Sequence, residues 1–208
     1  MTAPILVMTI GRSGSSMVSG VFAAHGVWTG QCQRADYRNP KGYFENVRIK
    51  AALRRVHGTP PRLNMIYPPQ PGWAKFVRSV LEREGYSGGP WLVKHAAIFH
   101  RLWEDWDEPG TVILPRRDSA AIFASIRAAR FHSFQTDEEL AEYIELQQAY
   151  MDQLAANGAT EVRSDDVLLG DYSSLRAAFD AAGVEFVESI AQQFIEQSLW
   201  NRRQVVST

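Results

Sequence analysis

Apolar and polar positions fall into blocks of two periods along the chain. Residues 5–10 are an apolar run of strand length. The run breaks into Gly11-Arg12-Ser13-Gly14-Ser15-Ser16, after which Met17, Val18, Val21 and Phe22 recur at helical spacing. This pattern predicts a strand, a tight loop and a helix over 16–25, with Gly26 placed to end it. Residues 27–42 read as loop, with a turn cluster from Asp36 through Arg38 to Gly42. Val47, Ile49, Ala52, Leu53 and Val56 then form a helical stripe whose start lies at or beside Glu45. Residues 57–73 hold five prolines and two glycines, which predicts a long surface excursion, either a lid or substrate loop or plain exposed padding.

Further along, an amphipathic helix is expected over 73–84, a second strand over 90–95 and a helix over 97–106. A third strand over 111–114 leads into a helix over 120–129. A long helical stripe covers 137–157 and is closed by Gly158, 161–163 reads as a last strand, and helices over 173–182 and 187–200 complete the chain. Strands alternating with helices imply an α/β fold in three layers, α/β/α, with a central and mainly parallel sheet. The expected organisation is one domain over 1–208, carrying its proline-rich loop or lid at about 57–73.

Composition narrows the chemistry. The chain has 208 residues, 45% of them hydrophobic, and a formal net charge of −1, so nothing favours non-specific binding to nucleic acid or to a membrane surface. Any basic site is local. Lysine occurs only at positions 41, 50, 75 and 94, and arginine supplies the rest of the positive charge. A single cysteine, Cys32, excludes an intramolecular disulfide and a cysteine-based zinc site, which points to a reducing cytoplasm. No two of the five histidines have the H-x-x-x-H spacing, and no metal is expected. The apolar residues 3–10 lack a basic flank and are too short to span a bilayer, so neither a signal peptide nor an anchor is expected.

The candidate chemistry gathers at the ends of the predicted strands. A loop between a strand and a helix collects free N–H groups and the positive end of a helix dipole, and Gly11 and Gly14 would let a tetrahedral anion approach. Compared with G-x-x-x-x-G-K-[ST], Gly14 and Ser16 match, but Thr9 replaces the first glycine and Ser15 the lysine. Arg12 is the only strong cation in the loop, and its fork of donors suits phosphate or sulfate. Lys94 and His95 at the second strand's end would face the same region, although a solvated lysine and a structural histidine read equally well there. Arg116 and Arg117 end the third strand beside a helix start, and Ser125 lies about two turns along that helix, a second anion site. Glu45 at a loop–helix junction could act as a general base, or could simply complement the helix dipole while Asn46 caps it.

Taken in order, these segments resemble the sulfotransferases that use 3′-phosphoadenosine-5′-phosphosulfate (PAPS), which have a P-loop-type fold. Gly11 to Ser16 is similar to the family's 5′-phosphosulfate loop in its R-S-G-[ST]-[ST] form, and Arg117 with Ser125 matches the 3′-phosphate pattern R-x7-S. Asn39-Pro40-Lys41-Gly42-Tyr43-Phe44-Glu45 is similar to N-P-[RK]-G-[FYW]-[FW]-E of bacterial members, and Trp91 to Lys94 to their strand that ends in lysine. Residues 162–167 and 194–199 are similar to weaker family segments. His95-Ala96-Ala97 stands where the family has D-P-R, and Ser119 where a proline is common.

The resemblance implies transfer of a sulfuryl group from PAPS to a hydroxyl or amine of a small-molecule or carbohydrate acceptor, leaving adenosine 3′,5′-bisphosphate (PAP). It implies Gly11, Arg12, Ser13, Gly14, Ser15 and Ser16 at the sulfuryl and 5′-phosphate end, and Arg117 and Ser125 at the 3′-phosphate. Catalytic roles would fall to Arg12 and Lys94 for oxyanion charge and to Glu45 as base, with His95 as the second candidate. Two other readings are a nucleotide kinase, which should carry the missing loop lysine and a Mg²⁺-binding carboxylate, and a non-catalytic PAPS- or PAP-binding protein.

Overall fold

A computed structural model of the chain describes residues 2–37, 39–57, 65–129 and 134–195. Four strands, β1 (Ile5–Thr9), β2 (Leu92–Ala96), β3 (Thr111–Arg116) and β4 (Thr160–Arg163), form one sheet in the order β2-β1-β3-β4, and every pairing is parallel. β1 and the apolar parts of β2 and β3 read as near-continuous runs because both faces of the sheet are covered there, whereas the edge strand β4 buries only Val162. Ile5, Val7 and Leu92 pack on one face with Val18, Phe22, Leu175 and Phe179. Leu6, Met8 and Val93 pack on the other with Val77, Trp91, Ile98, Leu102 and Leu140.

The first face carries α1 (Ser15–Ala24), α7 (Ser173–Ala181) and α8 (Glu188–Phe194). The second carries α2 (Val47–His57), α3 (Trp73–Arg83), a 3-10 helix at Ala97–Trp103, α4 (Ser119–Ala128) and α5 (Asp137–Ala156). The fold is therefore α/β in three layers. A short helix, Ser164–Leu168, follows β4 directly and is α6 in chain order. Among the described residues no helix is long and apolar enough to cross a membrane.

Sheet order decides where a ligand can sit. The chain runs from β1 outward to β2, then returns across β1 to β3 and on to β4. The helices that follow β1 and β3 consequently lie on opposite faces of the sheet, α1 on one and α4 on the other. A crevice opens between the carboxyl ends of these two neighbouring strands. Pairing of β1 with β3 stops at Val7 and Ile113, so the two chains diverge before the loops that bear Arg12 and Arg117.

Three predicted segments turn out differently. Residues 97–103 wind as a 3-10 helix rather than an α-helix over 97–106: Ala97, Ile98, Phe99, Leu102 and Trp103 are all buried directly after β2, which leaves no connecting loop. β3 runs two residues further than its apolar stretch, through Pro115 to Arg116, because β4 pairs with it there. In the proline-rich stretch, residues 58–64 lie outside the described residues, but the second half is anchored. Tyr67 is buried, its N–H donates to Ile98 O at 2.8 Å, and its ring stacks on Phe99 with centroids 4.9 Å apart. Residues 196–200 of the last predicted helix, and with them most of the 194–199 segment, also lie outside the described residues.

Candidate functional site

The loop after β1 is a tight turn in which Ser13 N–H donates to Ile10 O at 3.2 Å. Its left-handed residues are Arg12 (φ 74°) and Gly14 (φ 92°). Holding an arginine in that region costs about 1–2 kcal/mol, so the surrounding contacts must enforce it. The Ser13 hydroxyl bonds to that of Thr9 at 2.7 Å, and Thr9 in turn donates to Ile10 O, which ties the turn to the strand end. Gly14 starts α1 with no side-chain cap and no acidic residue in the first turn, so the helix's positive end is left to an outside partner. Gly11 has an ordinary φ, and a Cβ added there would meet nothing within 4 Å. Nothing inside the described chain calls for glycine at 11; close approach of a ligand would.

Across the crevice, Asp118 caps α4 by accepting from Ala121 N–H at 2.9 Å. The two arginines before it separate. Arg116 is bound by Glu161 and Gln148, each at 2.6 Å, and by Asp152, and it serves to join β3, β4 and α5. Arg117 turns inward, donates from Nη1 to Arg12 O at 3.3 Å, and has its Nε 3.6 Å from Asp165 Oδ1 on α6. Arg12 Nε donates to Ser125 Oγ at 2.9 Å. The Arg12 side chain therefore lies against α4, beside Ser125, the group expected at the 3′-phosphate. Burial, followed by the like charge of Arg117, pushes the Arg12 guanidinium below its ordinary pKa. An anion between them would relieve that repulsion.

The third cluster is built on β2 and the start of α2. Asn46 caps α2, its Oδ1 accepting from Arg48 N–H at 3.0 Å and Ile49 N–H at 3.1 Å. The residue before a cap and the fourth residue of the helix are neighbours in space, usually as an apolar pair. Here they are Glu45 and Lys50, an ion pair. Lys50 also donates to Gln33 Oε1 at 2.6 Å, and the Gln33 N–H bonds Glu45 O at 2.9 Å. Lys94, almost wholly buried, donates to Ser16 Oγ at 2.9 Å and lies 3.3 Å from Glu45 Oε1. Burial alone would raise the Glu45 carboxyl, but Lys94 and Lys50 together outweigh it and hold it below the ordinary range. Burial pushes Lys94 down, opposed by Glu45.

Glu84, at the end of α3, anchors this cluster from behind: its Oε2 accepts from Gln31 N–H at 2.7 Å and Asn46 Nδ2 at 2.8 Å. Phe44, in the left-handed region at φ 54°, sits immediately before Glu45. Lys50, Gln33, Glu84 and Asp165 were not singled out from the sequence. Lys50 is readable from its spacing to the Asn46 cap, and Asp165 lies in the 162–167 segment; Gln33 and Glu84 come from separate segments and have no local signal.

His95 does not join Lys94. Adjacent strand residues point to opposite faces, so with Lys94 toward Ser16, His95 enters the aromatic core of the second face. Its Nε2 accepts from Trp103 Nε1 at 2.6 Å and its Nδ1 donates to Ala96 O at 2.9 Å. With both nitrogens taken, the ring has no free site for a substrate proton. The role of second candidate base does not fit this geometry.

Burial lowers the His95 pKa from 6.5 to about 4, so the folded protein holds it neutral. That stabilisation is fully present above pH 6.5 and is lost as pH falls toward 4, on the order of 3 kcal/mol in all. Urea unfolding across this range should give a flatter pH dependence for His95→Gln than for the parent. Equal slopes would exclude His95 as a source.

Among the described residues, no group of three or more His, Cys, Asp or Glu side chains is arranged to hold a metal ion. The chain matches no protein-family model, and no curated protein matches it significantly.

Proposed function

We propose that the protein is a sulfotransferase that moves a sulfuryl group from PAPS to a hydroxyl or amine of a small-molecule or carbohydrate acceptor. The observation that carries this reading is the meeting of Arg12 and Arg117 in one crevice, with the open α1 N-terminus beside them and Lys94 reaching Ser16 from the neighbouring strand β2. Such a crevice suits a nucleotide that bears two separated anionic groups. The uncapped helix start, Gly11 and Ser16 suit the 5′ end; Arg117, Arg12 and Ser125 suit the 3′-phosphate. PAPS would supply an activated sulfuryl group on a good leaving group.

The chain's own residues then have two tasks. Glu45, held as a carboxylate, takes the proton of the acceptor while the acceptor oxygen or nitrogen bonds to sulfur. Lys94, already hydrogen-bonded to Ser16 on the loop, meets the negative charge left on the 5′-phosphate oxygen as its bond to sulfur breaks. Burial of Lys94 strengthens that charge–charge interaction by excluding water.

Calorimetric titration with adenosine 3′,5′-bisphosphate, ATP and Mg²⁺-ATP tests the nucleotide class. The bisphosphate should bind, and Arg117→Ala should weaken it about ten- to a hundredfold through loss of charge-assisted hydrogen bonds. Binding of ATP but not of the bisphosphate would defeat the reading in favour of a phosphotransferase.

A further inference from the structure

We infer that Lys50 is a positioning residue for the Glu45 carboxylate, with Gln33 holding Lys50 in place; the inference rests on Glu45 acting as the base of the proposed reaction. The two carboxylate oxygens are engaged from two sides. Lys94 from β2 lies 3.3 Å from Oε1, and Lys50 from α2 bonds Oε2. One cation alone would leave the carboxylate free to swing about its last torsion. Two cations on different oxygens fix its plane.

The clamp is built from elements that leave little slack. Lys50 lies on the second turn of α2, whose start is fixed by the Asn46 cap and, behind it, by Glu84. Gln33 contributes twice: its N–H fixes the Glu45 backbone and its side-chain oxygen fixes the Lys50 ammonium. The two lysines differ in access. The Lys94 side chain is 4% exposed and that of Lys50 33%, so the Oε2 edge of Glu45 is the one open toward solvent. A carboxylate oxygen offers two lone-pair sites, which lets Oε2 keep Lys50 and still accept a proton. Lys50 thereby marks the side from which an acceptor approaches.

The titratable groups that bear on Glu45 are Lys94, Lys50, the Cys32 thiol, whose backbone pairs with Asn46, and, from the aromatic core, His95. Lys50 is the accessible cation among them. Carbon-13 NMR of glutamate carboxyls, with the Glu45 signal identified by its loss in Glu45→Gln, reads the clamp without any substrate. Lys50→Met should raise the Glu45 midpoint by about one pH unit, while Lys50→Arg should leave it near the parent value. In assays with labelled PAPS and a panel of hydroxyl and amine acceptors, the acid limb of kcat should rise in step in Lys50→Met, with KM for PAPS unchanged. An unmoved Glu45 midpoint in Lys50→Met overturns the clamp. Full turnover in Glu45→Gln overturns the base reading instead, so the two failures are told apart.

Discussion

Replacing Lys94 with methionine should lower sulfuryl transfer by about a hundred- to a thousandfold, equivalent to roughly 3–4 kcal/mol of transition-state stabilisation. Methionine keeps the length and packing of a side chain that is 4% exposed, but removes the ammonium that joins Ser16 to Glu45. The fold should survive the change. Methionine removes the cost of burying an ammonium, and Glu45, 24% exposed, retains Lys50. Rates measured at saturating labelled PAPS should collapse, while the urea midpoint moves little; bisphosphate affinity should fall about ten- to a hundredfold, because its 5′-phosphate carries the charge that Lys94 meets. A Lys94→Met rate within tenfold of the parent would remove Lys94 from the chemistry.

Glu45→Gln should lower turnover by about a hundred- to ten-thousandfold, the range for loss of a general base, with bisphosphate affinity unchanged. Glutamine is isosteric and can still accept from Lys50 or Lys94, so the loss would measure basicity and not packing. No neighbour is ready to replace it. His95 has both nitrogens occupied and points into the aromatic core, away from the side of β2 on which Lys94 meets Glu45. The pairing of Glu45 with two lysines weakens it as a base in water, but it also ensures that the group is ionised before an acceptor arrives.

Most elements were legible because burial on both sheet faces writes the inner strands, β1 above all, as apolar runs, while the helices carry stripes and punctuation. Gly26, with φ 83°, does follow α1, and Asn46 does cap α2. The 97–106 segment carries an α-helical composition but winds as a 3-10 helix at Ala97–Trp103, because buried residues crowd one short stretch directly after β2.

The site was legible in its parts and less so in its connections. Arg12, Arg117, Ser125, Lys94 and Glu45 were all candidates, and the structure brings Arg12 to Ser125 and Lys94 to Glu45. What the sequence could not supply was the path of each long side chain. Arg12 reaches across to α4, and Arg116 and Arg117, adjacent in the chain, part to opposite tasks. The separation of Lys94 from His95 was available from strand alternation alone, a signal that the common location of the two residues obscured.

That alternation along β2 has a consequence for how such a chain can drift. Point substitutions at Leu92 or Val93 change one packing contact at a time. A one-residue insertion or deletion ahead of Lys94 in β2 would exchange faces, turning the ammonium toward the side that holds Trp103 and Phe99 and the imidazole toward the side of Ser16. Length variation is therefore barred from this strand, and descendants of the chain should keep the residue count of β2.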